Sequence, residues 1–296
     1  LANSLMLRLA MRVRFADQAL AQQYVTKATT NPGGLIEDDS QAGKLVTSSK
    51  YIFDHSLVTM LGYGELKMGA TIYSYLKGYD DPRMAKYFTK ATADTQNSDF
   101  YAVRSGIDPT TDETTYKNFS VPTVVNATPT YWMRASEVQF LLAEAALIGW
   151  YTNDSAENLY KKGIEVSFVE NGLTAAQAQS YYNSSAQPAN YADPKNSAYN
   201  INAASTIDKK WLSSGSTEDH LEQIITQKYL ANYPNGFESW SEWRRTGYPR
   251  MFTAALNRTN VGAQNIPASG KDLGMRRFPF PENEFKQNRE NVTAAQ

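Results

Sequence analysis

One short stretch, residues 228–249, constrains the fold of this chain more than any other. It contains three aromatic residues at intervals of three, a spacing that brings them onto one face of a helix: Phe237, Trp240 and Trp243. The dipeptide Asn235-Gly236 marks a turn before this helix, and Gly247 marks its end. The pattern predicts a short helix over 237–245 with a buried aromatic face, and it predicts that Trp240 lies in the core.

The same helix ends with two arginines, Arg244 and Arg245, and a buried arginine needs an acidic partner. We expect one of them to pair with Glu238 or Glu144. Glu144 and Glu137 lie seven residues apart, about 10 Å along the axis of a second helix. Glycoside hydrolases place two carboxylates across a cleft at roughly 5–9.5 Å. Because this second helix is rich in alanine, we favour a structural role for both glutamates, paired with Arg134 or with the arginine pair.

Apolar residues at helical spacing predict most of the remaining chain to be helical. Further helices are expected from the N-terminus to about Thr26, at 67–76, after Asp81-Pro82, at 134–148, 154–171, 174–183, 207–212 and 218–231. Two long loops, 91–129 and 184–205, separate these helices, and short strands are expected near 119–125. After Phe252 the prolines, including Pro267 and Pro279, predict mainly loop. The fold class is therefore mainly α, with paired helices and long ordered loops.

Composition excludes several classes of function. With 29 basic and 30 acidic residues, the net charge of −1 predicts no binding of nucleic acid or of an anionic membrane. Without cysteine, the chain has no disulfide, no cysteine nucleophile and no thiolate metal site. It contains neither a signal peptide nor an apolar run long enough to span a bilayer.

No catalytic or cofactor motif is found in the sequence. The two histidines, His55 and His220, have no metal-binding spacing, and we interpret each as a surface or capping residue. The acidic run 37–39 is interpreted as a solvated loop, with a metal site as the alternative. Neither a serine-hydrolase elbow nor a phosphate-binding loop is present. We therefore predict no catalytic residue, no metal and no cofactor.

Aromatic residues are the chemistry that remains, with 19 Tyr, 12 Phe and 5 Trp. Sugars stack their C–H faces on flat rings and need polar partners for their hydroxyls, so loops rich in Tyr and Trp suit a saccharide site. The candidate ligand-binding residues come from the two long loops and the residues beside them: Tyr101, Arg104, Tyr116, Trp132 and Tyr191. Core packing or loop anchoring is the competing interpretation for each of them.

Several blocks of the sequence together resemble the SusD-like (SusD/RagB) family of outer-membrane nutrient-binding lipoproteins. They occur in the order found in that family and cover nearly the whole chain: Ala2–Leu5 with Leu7–Arg12, Gly78–Arg83, Arg134–Ala145, Ile225–Tyr233, Glu238–Trp240, Arg244–Pro249, and Arg276–Glu284 followed by Asn291. Each block is a modest signal, but the ordered set is specific.

This resemblance implies a fold of tetratricopeptide-like helix pairs and a surface-exposed lipoprotein of the Gram-negative outer membrane, which is not an enzyme. Such a protein binds oligosaccharides, or peptides in some members, and delivers them to a SusC-like TonB-dependent transporter. The chain opens at Leu1 inside an amphipathic helix that has no clear N-cap. We therefore expect residues 1–296 to form a single SusD-like domain, the C-terminal part of a longer protein whose lipid anchor lies outside this chain.

Three alternatives stay open at this point: a peptide-binding SusD-like protein, a carboxylate-dependent glycoside hydrolase on a helical scaffold, and a helical adaptor for a protein partner. The resemblance also points to one modification, because Asp154-Ser155-Ala156 is similar to a short O-glycosylation motif of bacteria that carry this family. A plain helix N-cap is the competing interpretation of Ser155.

Overall fold

The computed structural model describes residues 1–48, 50, 52–64, 66–92, 99–107, 115–256 and 280–295. These residues form twelve α-helices and one two-stranded sheet. The helices are α1 (Ala2–Val13), α2 (Gln18–Thr30), α3 (Ser56–Gly62), α4 (Ala70–Gly78), α5 (Met84–Tyr87), α6 (Ala135–Leu147), α7 (Ala156–Glu170), α8 (Ala175–Asn183), α9 (Thr217–Ala231), α10 (Gly236–Thr246), α11 (Glu282–Gln287) and α12 (Arg289–Ala294). The mainly α fold class predicted from the sequence is confirmed.

The helix pair α6 and α7 forms the centre of the fold. Helix α6 is buried along most of its length, and α7 and α9 pack against it. Gly163 on α7 permits the close approach, because a Cβ atom there would lie 2.7 Å from the ring of Phe140 on α6. Helix α8 then packs on α7, so that α6, α7 and α8 follow one another as the sequence predicted.

Side-chain caps determine where these helices begin. The spacing of Thr174 and Gln177 in the sequence predicts a capping box at the start of α8, and the structure confirms it. At the start of α7 the N-cap is Ser155, whose hydroxyl accepts the Asn158 amide at 3.1 Å, in agreement with the cap interpretation of this residue. The sequence also suggests Asp154 with Glu157 as a capping-box-like start of this helix, but the Asp154 carboxylate instead accepts the amide of Ser155 at 2.7 Å.

The N-terminal region contains two helices where one was expected. Helix α1 ends at Val13, and the Asp17 side chain caps α2 by accepting the Leu20 amide at 2.9 Å. Because an acidic N-cap starts a new helix in a new direction, the apolar residues of α1 and α2 do not form one continuous stripe. Leu7 and Met11 of α1 are fully buried in the core.

The sheet was not foreseen at its observed position. Strand β1 (Gly43–Leu45) pairs antiparallel with β2 (Thr130–Met133), with Lys44 opposite Tyr131. The strands predicted near 119–125 are absent from the described structure, where Pro122 forms only an isolated bridge with Phe88.

Two further predictions of local structure are wrong. Residues 207–212 are not helical, because Gln223 on α9 donates to the backbone carbonyls of Asp208 and Lys210 and holds this segment as a loop. Residues 282–294 form α11 and α12, where loop was expected. Pro267, Pro279 and residues 276–279 of the family-like C-terminal block lie outside the described residues.

Candidate ligand-binding surface

The two carboxylates of α6 lie in a buried network of charges. Glu144 accepts hydrogen bonds from two guanidinium nitrogens of Arg245 on α10, at 2.5 and 2.7 Å, and a third from Arg14, at 2.6 Å. Glu137 pairs with Arg8 on α1 at 2.5 Å. Both glutamates are buried and fully engaged, so the structural role predicted for them is confirmed. Arg134 is not their partner, because its nearest carboxylate is that of Glu170, at 3.9 Å.

The aromatic face predicted for α10 is wrong. Trp243 is 6% exposed, but Trp240 is 40% exposed and Phe237 is 87% exposed. The buried positions of α10 follow the four-residue spacing of Glu238, Glu242 and Thr246 instead of the three-residue spacing of the aromatic rings. Carboxylates point inward on this helix because cations of α1 and α9 face it.

The charges of this network are buried, and carboxylates lie beside cations throughout it, as in a cluster that stabilises the fold. Glu242 lies 2.5 Å from Arg245 and 3.4 Å from Lys228 on α9. Burial alone would raise the pKa of Glu242, but these two cations lower it well below its ordinary value. The Glu238 carboxylate also lies 3.9 Å from Lys228. For Glu238, burial outweighs the effect of the nearby cations and raises the pKa of its carboxyl group.

Two of the five predicted site residues converge on one carboxylate, that of Asp193. The hydroxyls of Tyr116 and Tyr191 donate to its Oδ2 atom at 3.1 and 2.8 Å, and its Oδ1 atom accepts two backbone amides that follow it in the chain. Both tyrosine rings are buried, so they anchor the loops and present no face to a ligand. Sequence reasoning missed Asp193, although the dipeptide Asp193-Pro194 marks a turn.

Arg104 and Tyr101 belong to the same assembly of loops. The Tyr191 hydroxyl oxygen also lies 2.8 Å from the carbonyl oxygen of Ala102, so its single proton is shared between this carbonyl and Asp193 and ties the 99–107 segment to Asp193. Arg104 is buried, and its guanidinium donates to the carbonyl and the hydroxyl of Thr253, each at 3.1 Å. Its role in this conformation is to join loops.

Tyr101 is the member of this group that retains exposed surface. Its half-buried ring packs on Phe119, with the ring centres 5.4 Å apart. The hydroxyl of the half-buried Tyr73 lies within electrostatic reach of Tyr101, Lys77 and Asp99. The last two form a solvent-exposed pair at 3.4 Å. Two tyrosine rings beside a charged pair make a small surface that offers a stacking face and polar partners. Sequence reasoning did not select Tyr73.

Trp132 lies apart from the other four residues. It is 58% exposed on β2, and Arg8 of α1 donates to its carbonyl at 2.7 Å. In the described part of the chain, no hydrogen bond or ring contact joins it to the Asp193 assembly. The structure therefore brings together Tyr101, Arg104, Tyr116 and Tyr191 and leaves Trp132 as a separate exposed ring.

The histidines and the acidic run have structural roles. His55 caps α3 by accepting the Leu57 amide at 3.2 Å, and His220 stacks on Trp211 at 4.0 Å between ring centres. Asp39 pairs with Lys44 at 2.5 Å, and Asp38 caps the short 3-10 turn that follows it. Over the described ranges, no group of three or more His or acidic side chains is arranged to hold a metal ion.

Comparison with known proteins identifies the family. Residues 1–296 match the SusD-like family, described as SusD and RagB outer membrane lipoproteins. Among curated proteins, no sequence matches this chain. The chain belongs to the SusD-like family of outer-membrane lipoproteins. This finding confirms the predicted family and the predicted location.

Solved structures of SusD homologues share the fold over nearly the whole chain. A homologue from Bacteroides thetaiotaomicron is 35% identical with a TM-score of 0.83, and one from Bacteroides uniformis is 34% identical with a TM-score of 0.85. A chitin-binding homologue from Flavobacterium johnsoniae is 32% identical with a TM-score of 0.85. The matches cover 99–100% of this chain but only 58–60% of those chains. No helix within the described residues is long and apolar enough to cross a bilayer.

Proposed function

We propose that the protein binds an oligosaccharide at the cell surface and delivers it, uncleaved, to a SusC-like TonB-dependent transporter. The observation that carries this proposal is the family match over residues 1–296. A chitin-binding relative at 32% identity adds support for a glycan ligand. In this proposal, residues 1–296 act as one SusD-like unit of a longer lipoprotein.

Exposed aromatic rings are the proposed contacts with the sugar. Tyr101 and Trp132 keep accessible ring surface, whereas Arg104, Tyr116 and Tyr191 hold the loops that present Tyr101. A stacked ring contributes on the order of 1–3 kcal/mol, by analogy with nucleobases on aromatic side chains. One or two such rings give micromolar to millimolar affinity once the cost of association is included.

The ion pairs argue against glycoside hydrolysis by the α6 carboxylates. A glycosidase needs one carboxyl group that can be protonated and a second one facing it across an open cleft. Glu137 and Glu144 each accept charged hydrogen bonds from arginine and are shielded from solvent. The test is to incubate the protein with a polysaccharide and to measure released reducing ends. If a folded Glu144→Gln variant still releases them, the protein is a hydrolase with a different active site.

The binding test uses the full-length protein and calorimetric titration with chito-oligosaccharides and a panel of other neutral glycans. Tyr101→Ala and Trp132→Ala are each expected to weaken binding about tenfold if the ring forms a platform. Tyr63→Ala is the matched control, because Tyr63 is a well-exposed aromatic outside the candidate residues. Binding that is unchanged in both site variants would exclude these two rings.

Purification from native membranes tests delivery. The expected result is co-elution with a TonB-dependent transporter and binding of glycans without their cleavage. A protein that elutes alone and binds neither glycans nor peptides would contradict the proposal. Binding of peptides but not glycans would place it with the peptide-binding members of the family.

A further inference from the structure

A second pocket, separate from the Tyr101 surface, opens along one face of α8, from Ala176 in its first turn to Ser184 at its C-terminal end. Its volume is about 450 Å³, within the usual range for sites that hold a small molecule. Residues from three parts of the chain line it: Asp80 after α4, Gln177 and Tyr181 on α8, and Lys209 in the loop before α9. The candidate residues named above do not line this pocket.

Lys209 places a buried and sparsely bonded cation in the wall of this pocket. It is 3% exposed, and its Nζ atom donates to the carbonyl of Tyr79 at 2.5 Å and lies 4.4 Å from the centre of the Tyr181 ring. Across the described residues, no carboxylate oxygen lies within 4.0 Å of this ammonium, because nearby Asp81 is held by Arg83. An ammonium has three donors, and within the described residues a single hydrogen bond, to the Tyr79 carbonyl, is found for this one, with the Tyr181 ring facing the charge. A buried ammonium that lacks a carboxylate partner is costly.

The first turn of α8 adds further donors. Ala176 and Gln177, both in this turn, line the pocket. The Gln177 amide donates to the Thr174 hydroxyl at 3.2 Å, whereas the Ala176 amide has no partner within its helix, and the positive end of the helix dipole favours an anion there. The Oε1 atom of Gln177 accepts the Thr174 amide in the capping box. This contact leaves the side-chain NH₂ group of Gln177 for a ligand.

Asp80 supplies the opposite charge at the rim. It is exposed, and its carboxylate makes no hydrogen bond within the described part of the chain. Burial lowers the pKa of Lys209 and outweighs the opposing effect of three nearby carboxylates, those of Asp80, Asp81 and Asp208. The pocket thus presents donors and a buried cation on its wall and an acceptor at its edge.

We propose that this pocket binds the carboxylate of a small nutrient unit that also carries hydroxyl or amino groups, a hexuronate or an amino acid. The carboxylate pairs with Lys209 and the first turn of α8, and the hydroxyl or amino groups donate to Asp80. Since the proposal treats this pocket as a subsite of a nutrient-binding protein, it rests on the function proposed above.

Calorimetric titration of the full-length protein with glucuronate, with alanine and with glucose tests this pocket. We expect glucuronate or alanine to bind at millimolar affinity or better and glucose to bind at least tenfold more weakly. Binding of glucuronate would identify the ligand as a sugar acid, and binding of alanine would identify it as an amino acid. If neither binds, the proposal is wrong.

Gln177→Glu places a negative charge in the pocket and should weaken carboxylate binding at least fivefold. Glutamate is also suited to the capping box, so α8 should remain intact. Gln179→Glu is the matched control, since it adds the same charge to an exposed position of α8 outside the pocket lining. Equal affinity in the two variants would overturn the proposal.

Lys209→Met removes the buried charge and should abolish carboxylate binding, with folding checked by circular dichroism. If this variant does not fold, the Gln177→Glu and Gln179→Glu pair alone decides the question. Titration of the same preparations with a neutral chito-oligosaccharide separates the two proposals. Glycan binding without carboxylate binding would overturn only the pocket, and the reverse result would contradict only the glycan proposal.

Discussion

Arg245 donates to both carboxylate oxygens of Glu144, at 2.5 and 2.7 Å, although the two residues lie 101 positions apart in the chain. This contact joins α10 to α6, the most buried helix of the described structure. Arg14, in the turn after α1, reaches the same carboxylate at 2.6 Å. Three separate segments therefore meet at one buried acid.

Removing either partner of this pair should destabilise the protein strongly. Arg245→Met takes one cation away from each of two buried carboxylates, Glu144 and Glu242, and Glu144→Gln leaves the guanidinium groups of Arg245 and Arg14 facing a neutral amide. Each change is expected to cost about 3–5 kcal/mol, the usual result of breaking a buried ion pair. The free energy of unfolding in urea measures this loss.

Arg244→Met is the matched control for this experiment. Arg244 is exposed on the same helix and lies over the Trp240 ring at 4.7 Å, so its replacement should cost about 1 kcal/mol or less. A double-mutant cycle on Glu144 and Arg245 isolates their interaction. A loss at Arg245 no larger than at Arg244 would contradict the structural role of the pair.

The cluster should also make stability depend on pH through Glu242. Because its folded-state pKa is lowered by Arg245 and Lys228, the unfolded chain binds more protons just below pH 5. The stabilisation is fully present above the unfolded pKa and is lost as pH falls towards the folded value. Glu238, whose pKa is raised by burial, acts in the opposite sense.

We therefore expect the urea concentration at the unfolding midpoint to decrease as the pH is lowered from 6 to 3. This decrease should be less steep in Glu242→Gln. Glu157→Gln serves as the control, because Glu157 forms a solvent-exposed pair with Lys161 one helical turn away. If the urea midpoint depends on pH equally steeply in the wild type and in Glu242→Gln, this carboxylate does not govern acid stability.

Local signals in the sequence predicted the helices that depend on local interactions. The Thr174 capping box and the left-handed cap at Gly247, with φ of 78°, lie where the pattern indicates. The break at Asp17 was missed because apolar residues continue at helical spacing beyond it. Pairing of β1 with β2 was missed because it joins segments about 90 residues apart, and no local pattern encodes such a contact.

The candidate surface was predictable only in part, for a related reason. Aromatic composition identified the loops, but a tyrosine suits both a core and a binding surface, and only its neighbours decide between them. Asp193 binds the hydroxyls of Tyr116 and Tyr191 and thereby makes both residues structural. The buried cation at Lys209 was equally hidden, because its surroundings come from α4 and α8.

Trp240 and Trp243 provide a matched pair on one helix. Trp243→Ala should cost about 3–5 kcal/mol because its ring is buried, as expected for a core aromatic residue. Trp240→Ala should cost about 1 kcal/mol, because two fifths of the residue is already exposed and the exposed Arg244 lies over its ring. Thermal unfolding of both variants measures the difference. Equal losses would show that the exposure of Trp240 has no bearing on its contribution.

Ser155 combines a cap with the motif noted in the sequence. Ser155→Ala should lower stability by about 1 kcal/mol, because the hydroxyl satisfies the Asn158 amide. Thr174→Ala at the start of α8 is the comparable change in a cap that has no such motif. Glycosylation of Ser155 stays a prediction, which intact mass measurement of protein from the native host checks directly. An unmodified peptide would dismiss it.

Tyr191 and Tyr101 should separate loop anchoring from ligand contact. Tyr191→Phe removes the hydroxyl whose single proton bridges the Asp193 carboxylate and the Ala102 carbonyl, which leaves Asp193 Oδ2 with only Tyr116, and should cost about 1–3 kcal/mol. Tyr101→Phe keeps the ring, and no hydrogen bond of its hydroxyl is found in the described structure, so stability should change by less than about 0.5 kcal/mol. Unfolding in urea and glycan titration are measured on both variants. If Tyr101 contacts the sugar, glycan affinity should fall in Tyr101→Ala and stay unchanged in Tyr101→Phe. If Tyr191 only supports the loops, any loss of affinity in Tyr191→Phe should be no larger than its loss of stability explains. Unchanged affinity in Tyr101→Ala, with a loss in Tyr191→Phe that exceeds its loss of stability, would place the ligand on the buried side of these loops.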